Sequence, residues 1–231
     1  MKRKGVLLVF GRGRRLFRFA LSLGWAFGAR PVFSEVLPDE SFFAGKRAAA
    51  TLLPRISVCP FLCVAESHAF TGGMVAGLVE NLSFPPYLFV LDAHLDLFSS
   101  PQVSFPIHRG NFLAYLLKRK GFPEDHLFVC SDIEALKELE EKLRVLPPRP
   151  FYLSWDVDFG FPEVAYFPGR VPSACLEDFF LRLALCCRRR GFHFLGGDLV
   201  ELNPWKIQSP SSFALRVARY LLPFFREEER R

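Results

Sequence analysis

The sequence predicts a three-layer αβα fold with a mostly parallel, doubly wound sheet. Short apolar runs alternate with helical patterns along most of the 231 residues, and half of all residues are apolar, which is enough to bury a substantial core. The runs are continuously hydrophobic rather than alternating, as is typical of strands that helices cover on both faces. We therefore expect a single α/β domain over residues 1–231.

The predicted strands and helices alternate along the chain. Strands are predicted near residues 5–10, 31–36, 56–65, 87–92, 126–131, 150–157 and 192–199. Helices are predicted near residues 14–27, 71–82, 109–120, 132–145, 174–190 and 209–226, three of them after the N-cap candidates Ser131, Ser173 and Ser209. The stretch 37–55 contains Pro, Gly and Ala and is predicted as a connection, so segment 1–55 is assigned only as strand, helix and strand.

The charge balance and the length of the apolar runs limit the classes of partner. The formal net charge is +6, from 30 Lys and Arg against 24 Asp and Glu, with cations concentrated in Lys2–Arg18 and Arg182–Arg190. Arg residues on the solvent-facing sides of helices produce the same balance, so we predict no nucleic-acid partner. No apolar run approaches the roughly 20 residues that a membrane-spanning helix needs, so no membrane association is predicted.

Cysteine usage and the N-terminal segment bear on location. Six cysteines stand at positions 59, 63, 130, 175, 186 and 187 without a C-x-x-C pair, which favours buried, reduced thiols. The segment Gly13–Phe17 precedes an apolar stretch and is similar to a twin-arginine export signal. The strand-like run 5–10 stands where such a signal has a polar region, so we predict a cytoplasmic protein.

Acidic residues follow or end two of the apolar runs. Side chains two residues apart on a strand point to one side, so Asp92, His94 and Asp96 can converge, as can Asp156 and Asp158. Buried carboxylates are costly unless a cation pairs with them, and ligands of open parallel sheets gather at the carboxyl ends of strands. The pattern predicts two divalent cations, and its carboxylate oxygens favour Mn²⁺ over zinc. The alternative is a strand-end turn with solvated acids.

Three motifs resemble those of the arginase and agmatinase superfamily, the ureohydrolases. Asp92–Asp96 matches D-A-H-x-D, Ser154–Asp158 matches S-x-D-x-D, and Asp198–Pro204 matches D-x-x-E-x-N-P, in the family's order and spacing. The resemblance implies an arginase-like fold and a dinuclear manganese site. The segment Ala65–Ala69 stands where the family has G-G-D-H-S, which indicates a divergent branch.

The resemblance also implies metal ligands. Asp92 and Asp156 would bridge the two Mn²⁺ ions, His94 and Asp158 would complete one ion, and His68 and Asp96 would complete the other. His68 is alternatively an ordinary histidine at the start of a helix. A hydroxide that bridges the metals would attack the substrate, and Asp158 would assist with its proton.

Two further residues receive catalytic roles from the resemblance. Glu201 would hold the substrate guanidinium in a bidentate, charge-assisted pair, and His108 would deliver a proton to the departing amine. The alternatives are a salt bridge between Glu201 and a nearby Arg and a surface-loop histidine at position 108. The family has glycine directly after this histidine, whereas Arg109 intervenes here.

Other departures from the family concern the substrate. Phe161-Pro162 replaces a later Asp-Pro, and residues 97–100 lack the Asn that arginases use to bind the amino-acid end. We therefore expect a manganese-dependent hydrolase of linear C–N bonds that acts on a guanidino compound other than arginine, or on an amide. The alternatives are a non-catalytic metal-binding member of the superfamily and a zinc-dependent amide deacetylase. Because family members commonly form trimers or hexamers, we also expect homo-oligomerisation.

Overall fold

In the part of the chain that the structure describes, seven strands alternate with seven α-helices. The computed structural model describes residues 5–36, 40–56, 59–94, 107, 108, 110–166, 169, 171 and 176–225. The strands are β1 (Val6–Phe10), β2 (Pro31–Ser34), β3 (Phe61–Ala65), β4 (Tyr87–Leu91), β5 (Leu127–Cys130), β6 (Pro150–Asp156) and β7 (His193–Val200). The helices are α1 (Arg14–Phe27), α2 (Ser41–Ile56), α3 (Ala69–Asn81), α4 (Phe112–Lys120), α5 (Ile133–Leu143), α6 (Leu176–Arg190) and α7 (Pro210–Phe225).

The strands form one sheet in the order β2-β1-β3-β7-β6-β4-β5. Every pairing in it is parallel, which confirms the predicted parallel, doubly wound sheet. Strands β3, β7, β6 and β4 are neighbours in its middle, so their carboxyl ends meet at one edge, where ligands of such sheets bind. All seven predicted strands are present.

Helices cover both faces of the sheet, which confirms the three-layer architecture. Helices α1, α5, α6 and α7 share one apolar core with strand residues such as Trp155, and α2, α3 and α4 share a second core with residues such as Tyr152. Because consecutive strand residues point to opposite faces, the continuous apolar runs supply both cores. None of the described helices is both long and apolar enough to cross a bilayer.

Helix α2 corrects the prediction that residues 37–55 form a connection. Its sequence is rich in Ala, a strong helix former, and its one Pro lies near the end of the helix. Close packing against α3 also stabilises it: a Cβ on Gly73 would overlap the carbonyl oxygen of Phe42, and one on Gly45 would overlap that of Phe70. Gly45, the one glycine of the predicted connection, therefore allows α2 to approach α3 closely.

The three predicted N-cap residues have different outcomes in the structure. Asp132, rather than Ser131, caps α5, and its side chain accepts a hydrogen bond from the Ala135 backbone N–H at 2.8 Å. Helix α7 begins directly after Ser209, as predicted, while Ser173 lies outside the described residues. The N-cap of α5 therefore lies one residue after the predicted position.

Candidate metal centre

The ends of the four central strands bring the predicted site residues together. Asp92 follows β4 directly, Asp156 is the last residue of β6, and Glu201 follows β7. His68 lies just after β3, at the start of α3. Since these strands are parallel neighbours, their carboxyl ends place the four side chains at one edge of the sheet.

His68, Asp92 and Asp156 form a first, fully buried group. His68 Nδ1 lies 3.6 Å from Asp92 Oδ2 and 3.5 Å from Asp156 Oδ2. One ligand atom from each residue lies within 4.8 Å of the other two, which is close enough for a single cation to contact all three. The ring of Phe112, the first residue of α4, stacks on the His68 imidazole at 5.1 Å.

A second group, formed by Asp92, His94 and Asp158, shares Asp92 with the first group. His94 Nδ1 is in direct contact with Asp158 Oδ2 and lies 4.0 Å from Asp92 Oδ1. Asp92 therefore occupies the position of a ligand common to two cations. Asp156 belongs to the first group, and its bridging role remains a prediction.

Backbone N–H groups orient all three carboxylates. His94 N–H donates to Asp92 Oδ1 at 2.7 Å, Asp158 N–H donates to Asp156 Oδ1 at 2.9 Å, and Ala93 N–H donates to Asp158 Oδ1 at 3.1 Å. In each carboxylate the Oδ2 atom faces a histidine of the cluster instead. Such hydrogen bonds fix the direction of a ligand before a metal binds.

The electrostatics of the cluster favour a cation. Burial, followed by the charge of Asp158, raises the pKa of Asp92 from 3.8 to about 7. Burial and neighbouring carboxylates also raise the pKa of Asp156, and burial raises that of Asp158. Ionised carboxylates that are buried close together repel one another, whereas divalent cations between them would stabilise their ionised forms. Three carboxylates and two imidazoles therefore fit a pair of divalent metals.

Asp96, the sixth predicted ligand, lies outside the described residues, as do Leu97–Ser100. The structure therefore brings five of the six predicted ligands together and leaves the sixth untested.

Glu201 lies beside the cluster in an unusual backbone conformation. Its φ is 58°, the one positive value of a non-glycine residue among those described, and such strain is typical of functional sites. Its buried carboxylate accepts a hydrogen bond from the His68 backbone N–H at 3.1 Å. The charge of Glu201 contributes to the raised pKa values of Asp92 and Asp156, so it lies within electrostatic reach of both.

His108 is exposed in the turn that leads into α4. Its Nδ1 accepts a hydrogen bond from the Gly110 N–H at 3.1 Å, and its own N–H donates to Asn111 Oδ1 at 2.7 Å. Helix α4 begins at Phe112, whose ring stacks on His68. The turn that carries His108 therefore leads directly to a residue that contacts the first metal-ligand group. Arg109 lies outside the described residues.

A buried polar network beneath the cluster has no counterpart in the predicted site. Tyr152 Oη donates to Asp198 Oδ2 at 2.7 Å, and the hydroxyls of Thr71 and Ser154 lie 3.0 Å apart beside them. Burial raises the pKa of Asp198 to about 6, although the three hydroxyls lower it. The network joins α3, β6 and β7, which carry site residues. Ser154 and Asp198 are the first residues of two of the sequence motifs, but no role is predicted for either of them.

Comparison with solved structures finds this fold in several ureohydrolase-related enzymes. The agmatine ureohydrolase of Thermoplasma volcanium superposes with a TM-score of 0.66 at 15% identity, over 97% of this chain and 89% of that chain. The arginase of Bacillus subtilis gives 0.67 at 13% identity, over 97% and 99%. A variant of the formiminoglutamase of Trypanosoma cruzi, with Mn²⁺, gives 0.67 at 15% identity, over 97% and 94%.

Sequence comparisons give no match: no protein-family model and no curated protein is similar to the chain. The likeness is therefore one of fold rather than of overall sequence. The chain has the arginase-like α/β fold of the arginase and agmatinase ureohydrolases.

Proposed function

We propose that the chain is a divergent ureohydrolase: a dinuclear manganese-dependent hydrolase of linear C–N bonds whose substrate is a guanidino compound other than arginine. The observation that carries this proposal is the pair of overlapping His and Asp groups that share Asp92. They lie at the carboxyl edge of an arginase-like sheet, where this fold binds ligands. The sequence motifs of the family fall on the same residues.

Two Mn²⁺ ions fit the donor set. His68, Asp92, Asp96 and Asp156 would hold one ion, and Asp92, His94, Asp156 and Asp158 would hold the other. When bound, the ions would supply a hydroxide at neutral pH by lowering the pKa of water. The oxygen-rich ligand set and the Mn²⁺ in the structurally similar formiminoglutamase support manganese.

The residues around the cluster have separate tasks in the proposed reaction. Glu201 binds the guanidinium group, because a buried carboxylate pairs strongly with that planar cation. Asp158 would hold the proton of the attacking hydroxide, and the hydrogen bond from the Ala93 N–H would keep its carboxylate in place. His108 donates a proton to the leaving amine. Urea and an amine are the expected products.

The test is release of urea or ammonia by manganese-loaded protein from a panel of guanidino compounds and acylated amines. Asp156→Asn serves as the blank, because it removes a buried group that contacts His68. Metal-dependent urea would support the proposal and identify the substrate class. The matched control is Asp178→Asn, an exposed change on α6, which we expect to retain activity.

Metal analysis separates the alternatives. The proposal expects two manganese ions per chain. One zinc per chain with release of an acid would assign an amide deacetylase instead. Two bound metals without turnover of any compound would assign a non-catalytic member of the superfamily.

A further inference from the structure

An exposed apolar stripe runs along α1 at one end of the sheet. Phe17, Leu21 and Trp25 recur every four residues, so they share one side of the helix, and they are 49%, 45% and 78% exposed. On the edge strand β2, Phe33 stacks on Phe17 with a ring separation of 4.8 Å. We call these four residues the α1 face. Exposed apolar patches of this kind mark interaction sites.

Cations surround the α1 face. Arg14, Arg18 and Arg30 are exposed, and α1 contains no acidic residue. Glu35, just beyond the end of the neighbouring β2, pairs with Arg12 at 3.6 Å. A partner for this face therefore needs apolar side chains with an acidic rim.

The opposite end of the same sheet offers such a surface. A groove of about 360 Å³ runs beside the edge strand β5. We call it the β5 groove, and it is lined by apolar residues that include Leu127, Leu139 and Val145, the last of which is 80% exposed.

The β5 groove is acidic where the α1 face is basic. Glu124, Asp125 and Glu138 line it, and Lys142 is the one cation among the lining residues. Lys142 pairs with Glu138 at 3.9 Å, so Glu124 and Asp125 carry the net charge of the groove. The two surfaces are thus complementary in both apolar character and charge.

We propose that the α1 face of one copy of this chain docks into the β5 groove of a second copy. A symmetric contact between two α1 faces would place Arg against Arg, which is unfavourable. A head-to-tail contact instead pairs opposite charges and buries Trp25, the kind of residue that dominates interface energetics. It brings β2 of one copy beside β5 of the next, and it covers both open edges of the sheet.

Such a contact uses different surfaces on the two copies. Copies joined in this way close into a ring if the rotation between them permits and otherwise extend into a filament. The proposal does not depend on metal chemistry, because neither surface contains a residue of the metal centre.

The test is sedimentation of the full chain and of two double variants. Leu21→Ser with Trp25→Ser removes apolar anchors from the α1 face, and Glu124→Lys with Asp125→Lys reverses the charge of the β5 groove. All four side chains are exposed, so the variants should fold, as circular dichroism will verify. We expect the unchanged chain to form a concentration-dependent oligomer that weakens in high salt, and each variant alone to be a monomer.

Mixing the two variants is the decisive step. Each retains one intact surface, so an equimolar mixture should form a species of twice the chain mass and nothing larger. Phe43→Ser, an exposed change on α2, and Glu177→Lys with Asp178→Lys, an equal charge change on α6, are the matched controls and should oligomerise like the unchanged chain.

Several outcomes would overturn the proposal. These are a monomeric unchanged chain at all concentrations, a groove variant that still oligomerises, or a mixture that stays monomeric. Binding of a monomeric chain to phosphatidylserine vesicles, lost in the Leu21→Ser and Trp25→Ser variant, would assign the α1 face to a membrane surface instead.

Discussion

Each carboxylate of the metal centre uses its two oxygens differently. One oxygen of Asp92, Asp156 and Asp158 accepts a backbone hydrogen bond, and the other faces a histidine. The backbone that follows each strand therefore fixes the ligand directions, so the cluster is organised without help from a metal. The spacing in the sequence explains which side chains can converge, and these hydrogen bonds explain how their ligand oxygens are oriented.

His108 provides a test of catalysis that leaves the metals in place. It lies in an exposed turn and belongs to neither metal-ligand group. If it donates the proton to the leaving amine, His108→Ala should retain two metals per chain and lower kcat by roughly 100-fold to 10,000-fold. Metal analysis and urea release measure the two effects. His193→Ala, an exposed change at the start of β7, is the control, and an unchanged rate in His108→Ala would remove this histidine from the mechanism.

Tyr152 tests the buried network beneath the cluster. Its hydroxyl is the described hydrogen-bond donor to Asp198 Oδ2, and Asp198 Oδ1 has no hydrogen-bond partner among the described residues. Tyr152→Phe should therefore lower the free energy of unfolding by about 1–3 kcal/mol in urea denaturation, because a buried carboxylate loses its donor. Tyr87→Phe, which removes a 3.3 Å hydrogen bond to the neutral Pro147 carbonyl, should cost less. Equal losses would contradict a special role for the network.

At the scale of elements, the tightest packing is between α2 and α3. A Cβ on Gly73 would overlap the Phe42 carbonyl, and backbone cannot move aside as a side chain can. Gly73→Ala should therefore destabilise the protein by about 3 kcal/mol, near the upper end for overpacking. Thermal and urea unfolding measure the loss. Thr51→Ala, an exposed change on α2, is the control, and similar stability in both variants would show that the helices can separate at little cost.

The elements also show what sequence can predict. All seven strands were predictable because each is a short run of mostly apolar residues, and the central strands β3, β4, β6 and β7 are buried on both faces. Helix α2 was not, because Gly45 and the prolines of residues 37–55 indicated a connection, and the close packing of Gly45 against α3 is visible only in the structure. Likewise, the motifs indicated that Asp92 and Asp156 would converge, whereas the network around Asp198 depends on the register that pairs Ser154 with Asp198. The local sequence of either strand does not specify how the two strands are paired.

At the scale of the whole molecule, metal removal should make stability depend on pH. The pKa of Asp92 is about 7 in the folded state against an ordinary 3.8, so the folded protein holds a proton that the unfolded chain releases. Stability of the metal-free protein should therefore fall as pH rises from about 4 to 7, and the raised pKa of Asp198 acts in the same direction.

Melting temperatures of chelator-treated protein across this pH range measure the effect. Added Mn²⁺ should restore stability at pH 7 by mass action, with the manganese-loaded protein as the reference. If the melting temperature of the metal-free protein did not depend on pH, the pKa values of Asp92 and Asp198 would not be raised in the folded state.

The position of β7 has a consequence for synthesis. Among the described strands it leaves the ribosome last, yet it pairs with β3 on one side and β6 on the other. Until residues 193–200 emerge, the nascent chain holds two half-sheets, each with an unprotected inner edge that can pair wrongly. Products interrupted before β7 therefore lose the seam that joins the halves, and aggregation or proteolysis is their expected fate.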